Sequence, residues 1–148
     1  MSCGDFAAIG LPNLRPSNSR VVGLSQLFNG TTLVSGLHLA IKGGRWAHWH
    51  HGVYLGILKG GHYIADMWGD SKQTARVQHR LLDDFLEGVV SVCIVDYDHD
   101  SLRVQNAAVA RALKALEDTE WQPLYDAFGS NCECFACWVC TGWYGLEL

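Results

Sequence analysis

Two groups of reactive side chains stand out in this sequence of 148 residues. Four of its six cysteines crowd together near the C-terminus, as Cys132, Cys134, Cys137 and Cys140. Three of its seven histidines crowd together earlier in the chain, as His48, His50 and His51. A cysteine thiol becomes a nucleophile when an imidazole takes its proton, and thiolates and imidazoles are also common ligands of zinc. The sequence therefore predicts a thiol enzyme, an inactive relative of one, or a metal protein.

The composition predicts a single globular domain in a reducing compartment. Hydrophobic residues make up 49% and charged residues 18% of the chain, which supports a packed core and excludes a disordered chain. The net charge of -4 excludes a basic face devoted to nucleic acid, although a local patch for RNA stays open. The sequence shows neither a signal peptide nor an apolar run near the ~20 residues of a membrane span. We therefore expect no disulfide framework and no transmembrane segment.

The apolar patterns predict strands first and helices after. Residues 1–20 are rich in Gly, Pro, Ser and Asn and predict an irregular arm, which leaves residues 21–148 as one domain. Residues 69–80 are polar and predict a loop. Runs of β-branched and aromatic residues predict strands over residues 31–41, 46–58, 62–68 and 89–97.

The later part of the chain changes to helical spacing. Leu102, Val109, Leu113 and Leu116 lie on one stripe and predict a helix that turns this stripe to the core and its charged side to solvent. The apolar residues 132–143 predict a second, buried helix. Strands followed by helices predict an α+β fold, with an antiparallel sheet packed against both helices.

Two motifs, in this order along the chain, resemble a known family. Residues 50–56 read His-His-Gly-Val-Tyr-Leu-Gly on a predicted strand, and residues 131–135 read Asn-Cys-Glu-Cys-Phe at a predicted helix start. They resemble the lecithin:retinol acyltransferase-like branch of the NlpC/P60 superfamily. That branch carries a box of the form His-aromatic-Ala/Gly-Ile/Val-Tyr-Val/Leu-Gly and an Asn-Cys-Glu-His-Phe motif. The resemblance spans residues 36–142 and implies the α+β fold of this family.

The resemblance implies a catalytic role for two residues. Cys132 is the implied nucleophile, at a helix start that lowers the pKa of a thiol, and His50 is the implied general base. The implied substrate of an active member is a phospholipid acyl chain, and Asn131 and Tyr54 are implied supporting residues. Strand alternation places His50 and Tyr54 on one face of the sheet and His51 on the other, toward solvent or packing.

The third member of the catalytic set has two candidates. The family usually has a histidine on the following strand, twelve residues after the first, and this count leads to His62. The local context instead aligns Asp66 with that position, across a longer hairpin. Both residues have the same strand parity, and either side chain can orient an imidazole. The sequence leaves both open.

The chain resembles the viral members of this family more than the cellular enzymes. It is compact, its lead-in is atypical, and it lacks the C-terminal anchor of the cellular enzymes, which are features of the H-box/NC type of picornavirus 2A protein. This implies a non-structural viral factor in the host cytoplasm or at its membranes, acting in replication with host or viral proteins as partners. Cys134 replaces the histidine of the family motif, and this departure counts against catalytic turnover. The alternatives are an active thiol-dependent phospholipase A/acyltransferase and a scaffold that binds protein or RNA.

A zinc site is the less favoured hypothesis for the cysteine cluster. Its C-x-C-x-x-C-x-x-C run is predicted to be helical, and one helix cannot bring four such ligands to a tetrahedral ion. We therefore predict no metal and no other cofactor. The cysteines other than Cys132 are predicted to pack in the core. His38, His79 and His99 are predicted to lie at the surface or in local hydrogen bonds.

Overall fold

A computed structural model of the chain describes residues 19–43, 46–68, 76–97, 102–117, 135–136 and 139–140. Within these ranges, one antiparallel sheet contains β1 (Ser19–Gly23), β2 (His38–Gly43), β3 (Trp46–Leu58), β4 (Gly61–Trp68), β5 (Arg76–Leu81) and β6 (Ser91–Val95). The strands lie in the order β1-β6-β2-β3-β4-β5. The same ranges contain the helices α1 (Leu24–Leu27), α2 (Leu82–Phe85) and α3 (Leu102–Glu117). The predicted α+β fold is confirmed.

The predicted strands are confirmed in the centre of the sheet and differ at its margins. β3 has the predicted bounds, and β4 begins one residue before the predicted start. β2 begins only at His38, after a turn in which the amide of Leu37 donates to the carbonyl of Val34. β1 begins at Ser19, within the range predicted as an irregular arm.

The predicted loop over residues 69–80 is wrong for its last part, where β5 forms. The residues before Arg76 in that range lie outside the described part of the chain. Along β5 Val77 is buried on the face of the sheet that packs against α3, whereas Arg76, His79 and Leu81 are exposed. The mostly polar composition of these residues concealed the strand.

The hairpin between β3 and β4 fixes which residues face each other across the two strands. Its turn is formed by Lys59 and Gly60, whose φ angles of 50° and 78° are both positive, as a two-residue type I′ turn requires. A register shift lies between Tyr54 and Gly56 of β3, before the turn. As a result Ile57 pairs with His62 near the turn, whereas Gly52 pairs with Asp66 at the far end of the hairpin.

The sheet separates the two larger hydrophobic clusters, one on each face. The short-helix face packs against α1 and α2 through Leu27, Leu82 and Phe85. The long-helix face packs against α3 and against the C-terminal helical segment, defined as Phe135, Ala136, Val139 and Cys140. Residues of the sheet on the short-helix face include Leu39, Ile41, Tyr54, Ile64 and Ile94, and those on the long-helix face include Val53, Leu55, Ala65, Met67 and Val77.

The core-facing stripe of α3 differs from the predicted one. The fully buried residues of this helix are Ala108, Ala112 and Ala115, whereas Leu113 is 45% exposed. Alanines at this spacing let the helix backbone approach the sheet closely, and of the predicted stripe Leu116 packs, partly buried, against the same cluster. None of the helices within the described ranges is long and apolar enough to cross a membrane.

Arg111 also departs from its predicted place in solvent. Its Nε donates to the carbonyl oxygen of Val139 at 2.7 Å. Nη2 of the same guanidinium reaches the carbonyl oxygen of Cys140 at 3.4 Å. These hydrogen bonds satisfy carbonyl groups of the C-terminal helical segment and hold it against α3.

Gly36→Ala is expected to destabilise the fold by about 3 kcal/mol or more, because two costs add. Gly36 has a φ of +93°, and a Cβ there would lie 2.7 Å from the carbonyl oxygen of Gln105 in α3. Gly30→Ala is the matched control, since its φ is +68° but no atom lies within 4 Å of the added Cβ. Only the strain of about 1–2 kcal/mol is expected there. Urea unfolding measures both, and equal losses would show that α3 yields to the new methyl group.

Candidate active site

His50 lies buried on the short-helix face of β3, with 2% of its surface exposed. Its ring packs against the ring of Phe85 on α2, with the centroids 5.4 Å apart. Gly52, two residues further along β3, makes this packing possible. A Cβ at Gly52 would lie 3.0 Å from Cε2 of Phe85 and 2.8 Å from Cδ1 of Ile64. The small residue of the motif therefore gives space to the aromatic ring beside the imidazole.

Asp66 holds the His50 ring by a hydrogen bond. Nε2 of His50 lies 2.8 Å from Oδ2 of Asp66. The carboxyl group is fully buried and reaches His50 from β4, where Asp66 pairs with Gly52. The register of the hairpin therefore brings the two side chains together on the short-helix face.

Arg80 on β5 completes a buried charge network around the same carboxyl group. Its Nη2 lies 2.6 Å from Oδ2 of Asp66, and its Nε lies 3.1 Å from Oδ1. Burial raises the pKa of Asp66, but hydrogen bonds and charge interactions with His50 and Arg80 outweigh burial and hold this pKa below its usual range. Asp66 is therefore an ionised carboxylate, which can only accept hydrogen bonds.

The ionised state of Asp66 fixes the tautomer of His50. Because the carboxylate accepts, Nε2 of His50 must carry the proton of this hydrogen bond. In the neutral ring the basic nitrogen is then Nδ1. Such an imidazole, oriented by a carboxylate and basic at its other nitrogen, is the arrangement that accepts a proton from a nucleophile.

His62 lies in a separate pair with Tyr54. The hydroxyl oxygen of Tyr54 lies 2.6 Å from Nδ1 of His62 in a hydrogen bond, and burial raises the pKa of this phenol, which keeps its proton. Four residues of β3 separate Tyr54 from His50, which is roughly 13 Å along a strand. Of the two candidates for the third position, the structure brings Asp66 to His50 and places His62 beside Tyr54.

The long-helix face carries a second imidazole chain that the sequence analysis did not predict. Nε2 of His38 lies 2.8 Å from Nδ1 of His51, and Nδ1 of His38 lies 2.7 Å from the hydroxyl of Tyr97. Both histidines are almost fully buried. Burial lowers the pKa of His38 to about 3, so this ring is neutral at neutral pH. The local hydrogen bonds predicted for His38 are present, but it is a core residue.

The predicted nucleophile Cys132 and its neighbour Asn131 lie outside the described residues. The C-terminal helical segment that follows them belongs to the cluster of the long-helix face, and Sγ of its Cys140 approaches the carbonyl oxygen of Gly36 at 3.7 Å. The motif therefore points to His50 as the partner of the thiol. The C-terminal helical segment, however, packs on the long-helix face, which is the face of His51.

Comparison with known protein families shows the family of this chain. The family described as Lecithin retinol acyltransferase matches residues 33–145 of the 148-residue chain. The chain belongs to the lecithin retinol acyltransferase family. Its sheet and helices therefore form an acyltransferase-like scaffold. Comparison with curated proteins and with solved structures gave no significant match.

Sequence reasoning missed two contributors to the site of this lecithin retinol acyltransferase family member. Arg80 fell in the range predicted as a loop, and the polar sequence of β5 gave no indication of its place in the site. Phe85 gave no indication either, since its contact with His50 depends on how α2 folds back onto the sheet. In the described part of the chain, no group of three His, Cys, Asp or Glu residues could hold a metal ion.

Proposed function

We propose that the protein transfers acyl chains from a phospholipid ester through a thioester on Cys132. One observation carries this proposal, namely the buried hydrogen bond of 2.8 Å between His50 and the ionised Asp66. His50 lies on β3, the strand that bears the first motif of this lecithin retinol acyltransferase family member. The name of that family supports a phospholipid as the acyl donor. In this proposal His50 is the general base and Asp66 the residue that orients it.

The proposed reaction has two steps. In the first, Sγ of Cys132 attacks the ester carbonyl carbon while Nδ1 of His50 takes the thiol proton. The ester C–O bond then breaks, and His50 returns the proton to the leaving alkoxide, so the lysophospholipid departs as a neutral alcohol. In the second step water, an amine or an alcohol attacks the thioester and gives its proton to His50. The thiolate leaves and regains that proton from His50.

The charges around the two imidazoles favour His50 over His51 as the base. The imidazolium formed during the reaction would face the carboxylate of Asp66 in the case of His50. His51 would face His38 instead, whose pKa of about 3 keeps it neutral and gives no stabilisation to a neighbouring cation. A thiolate–imidazolium pair therefore forms more readily on the short-helix face.

Thiol alkylation across the pH range tests the assignment. Cys132 of the wild-type protein is expected to react with iodoacetamide about tenfold faster at neutral pH than an unassisted thiol, because His50 stabilises the thiolate. Peptide mass spectrometry identifies which cysteine is labelled. His50→Ala is expected to abolish this advantage, and His51→Ala, a neighbouring buried histidine on the same strand, is the matched control that keeps it.

Three outcomes would count against the proposal. Slow and uniform labelling of several cysteines would show that no thiol among them is activated. Loss of the advantage in His51→Ala and not in His50→Ala would assign the base to the other face. Absence of an acyl adduct on Cys132, sought by intact mass after incubation with phosphatidylcholine vesicles, would leave an activated thiol without the proposed substrate.

We propose further that the chain is the viral form of this scaffold, of the picornavirus 2A H-box/NC type, and acts in replication and on the host in its cytoplasm. What supports this is the altered motif, with Cys134 in the place of the family histidine. A replicon that carries Cys132→Ala, compared with one that lacks the whole chain, tests it. A scaffold role in replication predicts that only the deletion stops RNA synthesis. Equal replication in both would exclude that role.

A further inference from the structure

Asp66 differs chemically from the residue that usually stands at its position. The family usually has a histidine there, which is neutral when buried, whereas Asp66 is fully buried and ionised. A buried carboxylate is costly unless a charged partner and hydrogen bonds compensate it. Arg80 is that partner, with its side chain 11% exposed and with both oxygens of Asp66 within hydrogen-bond distance of its guanidinium. Arg80 therefore supplies the compensation that a buried carboxylate needs at this position.

We propose that Arg80 is the positioning residue that makes an aspartate workable in this site, by aiming Oδ2 of Asp66 at His50 and by limiting the basicity of the imidazole. This inference rests on the proposed role of His50. Nη2 of Arg80 and Nε2 of His50 lie 2.6 Å and 2.8 Å from the same oxygen, so the guanidinium and an imidazolium would repel each other. Asp66 alone would favour the imidazolium. Arg80 offsets part of this effect, so His50 can be neutral before it takes the thiol proton and its imidazolium is still stabilised by Asp66.

The other charged and titratable groups near His50 have weaker effects on it. On the neighbouring elements they are Lys42 of β2, Tyr54 of β3, and Asp83 and Asp84 of α2. Lys42, Asp83 and Asp84 are exposed, so water and salt screen their charges. Tyr54 keeps its proton and carries no charge. Among the described neighbours of His50, Asp66 and Arg80 are therefore the charged groups that lie closest to its ring.

An NMR titration of the His50 ring tests this role in the full chain. The Cys132→Ser background removes the thiol, so the titration reports only the network of His50, Asp66 and Arg80. Arg80→Met is expected to raise the pKa of His50 by about one unit or more, because the repelling charge is gone. Arg80→Lys keeps the charge and is expected to leave that pKa near its value in the parent protein. A purely structural role of Arg80 would not produce this difference between lysine and methionine.

Arg76→Met is the matched control, since Arg76 lies on the same strand with the same strand parity and the substitution removes the same charge. It is expected to leave the pKa of His50 unchanged. An unchanged pKa of His50 in folded Arg80→Met protein would overturn the inference, and so would an equal rise in Arg80→Lys. Because the titration needs no acyl transfer, its outcome is distinct from failure of the acyl-transfer assay.

A rescue variant gives a second readout. Asp66→His restores the residue type that the family usually has, and it removes the carboxylate whose two oxygens Arg80 contacts. Asp66→His combined with Arg80→Met is therefore expected to recover alkylation of Cys132 relative to Asp66→His alone. Equal rates of Cys132 alkylation in the single and the double variant would contradict the inference that the effect of Arg80 on the site depends on Asp66.

Discussion

Asp66→Ala is expected to lower the free energy of unfolding by about 3–5 kcal/mol, because it removes the buried carboxylate that both Arg80 and His50 contact. The guanidinium of Arg80 is almost as buried as the carboxyl group that it contacts, and Nε2 of His50 loses its acceptor at the same time. Both lost hydrogen bonds involve a charged group, and such bonds contribute more than neutral ones. Urea unfolding, monitored by circular dichroism, measures the change at neutral pH.

The double variant separates loss of a partner from loss of the network as a whole. Asp66→Ala combined with Arg80→Met removes both charges of the pair and is expected to be more stable than Asp66→Ala alone. Asp83→Ala on α2 is the control, since this aspartate is exposed and its substitution is expected to cost no more than about 0.5 kcal/mol. Strict additivity of the Asp66 and Arg80 effects would contradict the coupling that the contacts indicate.

The sequence predicted the parts of the fold that local patterns encode. The bounds of β3 follow from its run of aromatic and β-branched residues and were predicted correctly. The buried alanines of α3 were not predicted as its core side. The leucine stripe was predicted instead, because the burial of alanines depends on how closely the helix approaches the sheet. Alternation along β3 correctly separated His50 from His51, since a regular strand has a strict period of two.

The choice between His62 and Asp66 could not be made from the sequence, because it depends on register. A count of twelve residues assumes a regular hairpin, whereas the turn at Lys59 and Gly60 and the register shift after Tyr54 change which residues face each other. The alignment of local context with Asp66 gave the residue that contacts His50. Arg80 was missed because a polar edge strand resembles a loop in composition.

A decline in stability below about pH 6.5 is the second large effect expected for this protein, and His38 is its source. The pKa of this buried ring is about 3 in the folded protein, compared with 6.5 for an unperturbed histidine. The unfolded chain therefore binds a proton between these two values and the folded chain does not. The free energy of unfolding is expected to fall by about 2 kcal/mol between pH 6.5 and pH 4.5 from this group alone.

The pH window distinguishes His38 from the carboxylate network. The pKa of Asp66 is lowered in the folded protein, so the stability that it contributes is lost only at a pH below the usual range of an aspartate. Loss between pH 6.5 and pH 4.5 therefore reports buried imidazoles. Urea unfolding at several pH values in this window measures the slope directly.

His38→Gln tests the assignment, because glutamine can bond to both His51 and Tyr97 but does not titrate. This variant is expected to start from a lower stability at neutral pH and to lose less of it on acidification. His79→Gln is the matched control, since His79 is exposed on β5 and its replacement is expected to leave the slope unchanged. An equal slope in wild type and His38→Gln would mean that His38 gains its proton without unfolding. The chain from Tyr97 to His51 would then accommodate a cation, and the long-helix face would become the better candidate for the base that serves Cys132.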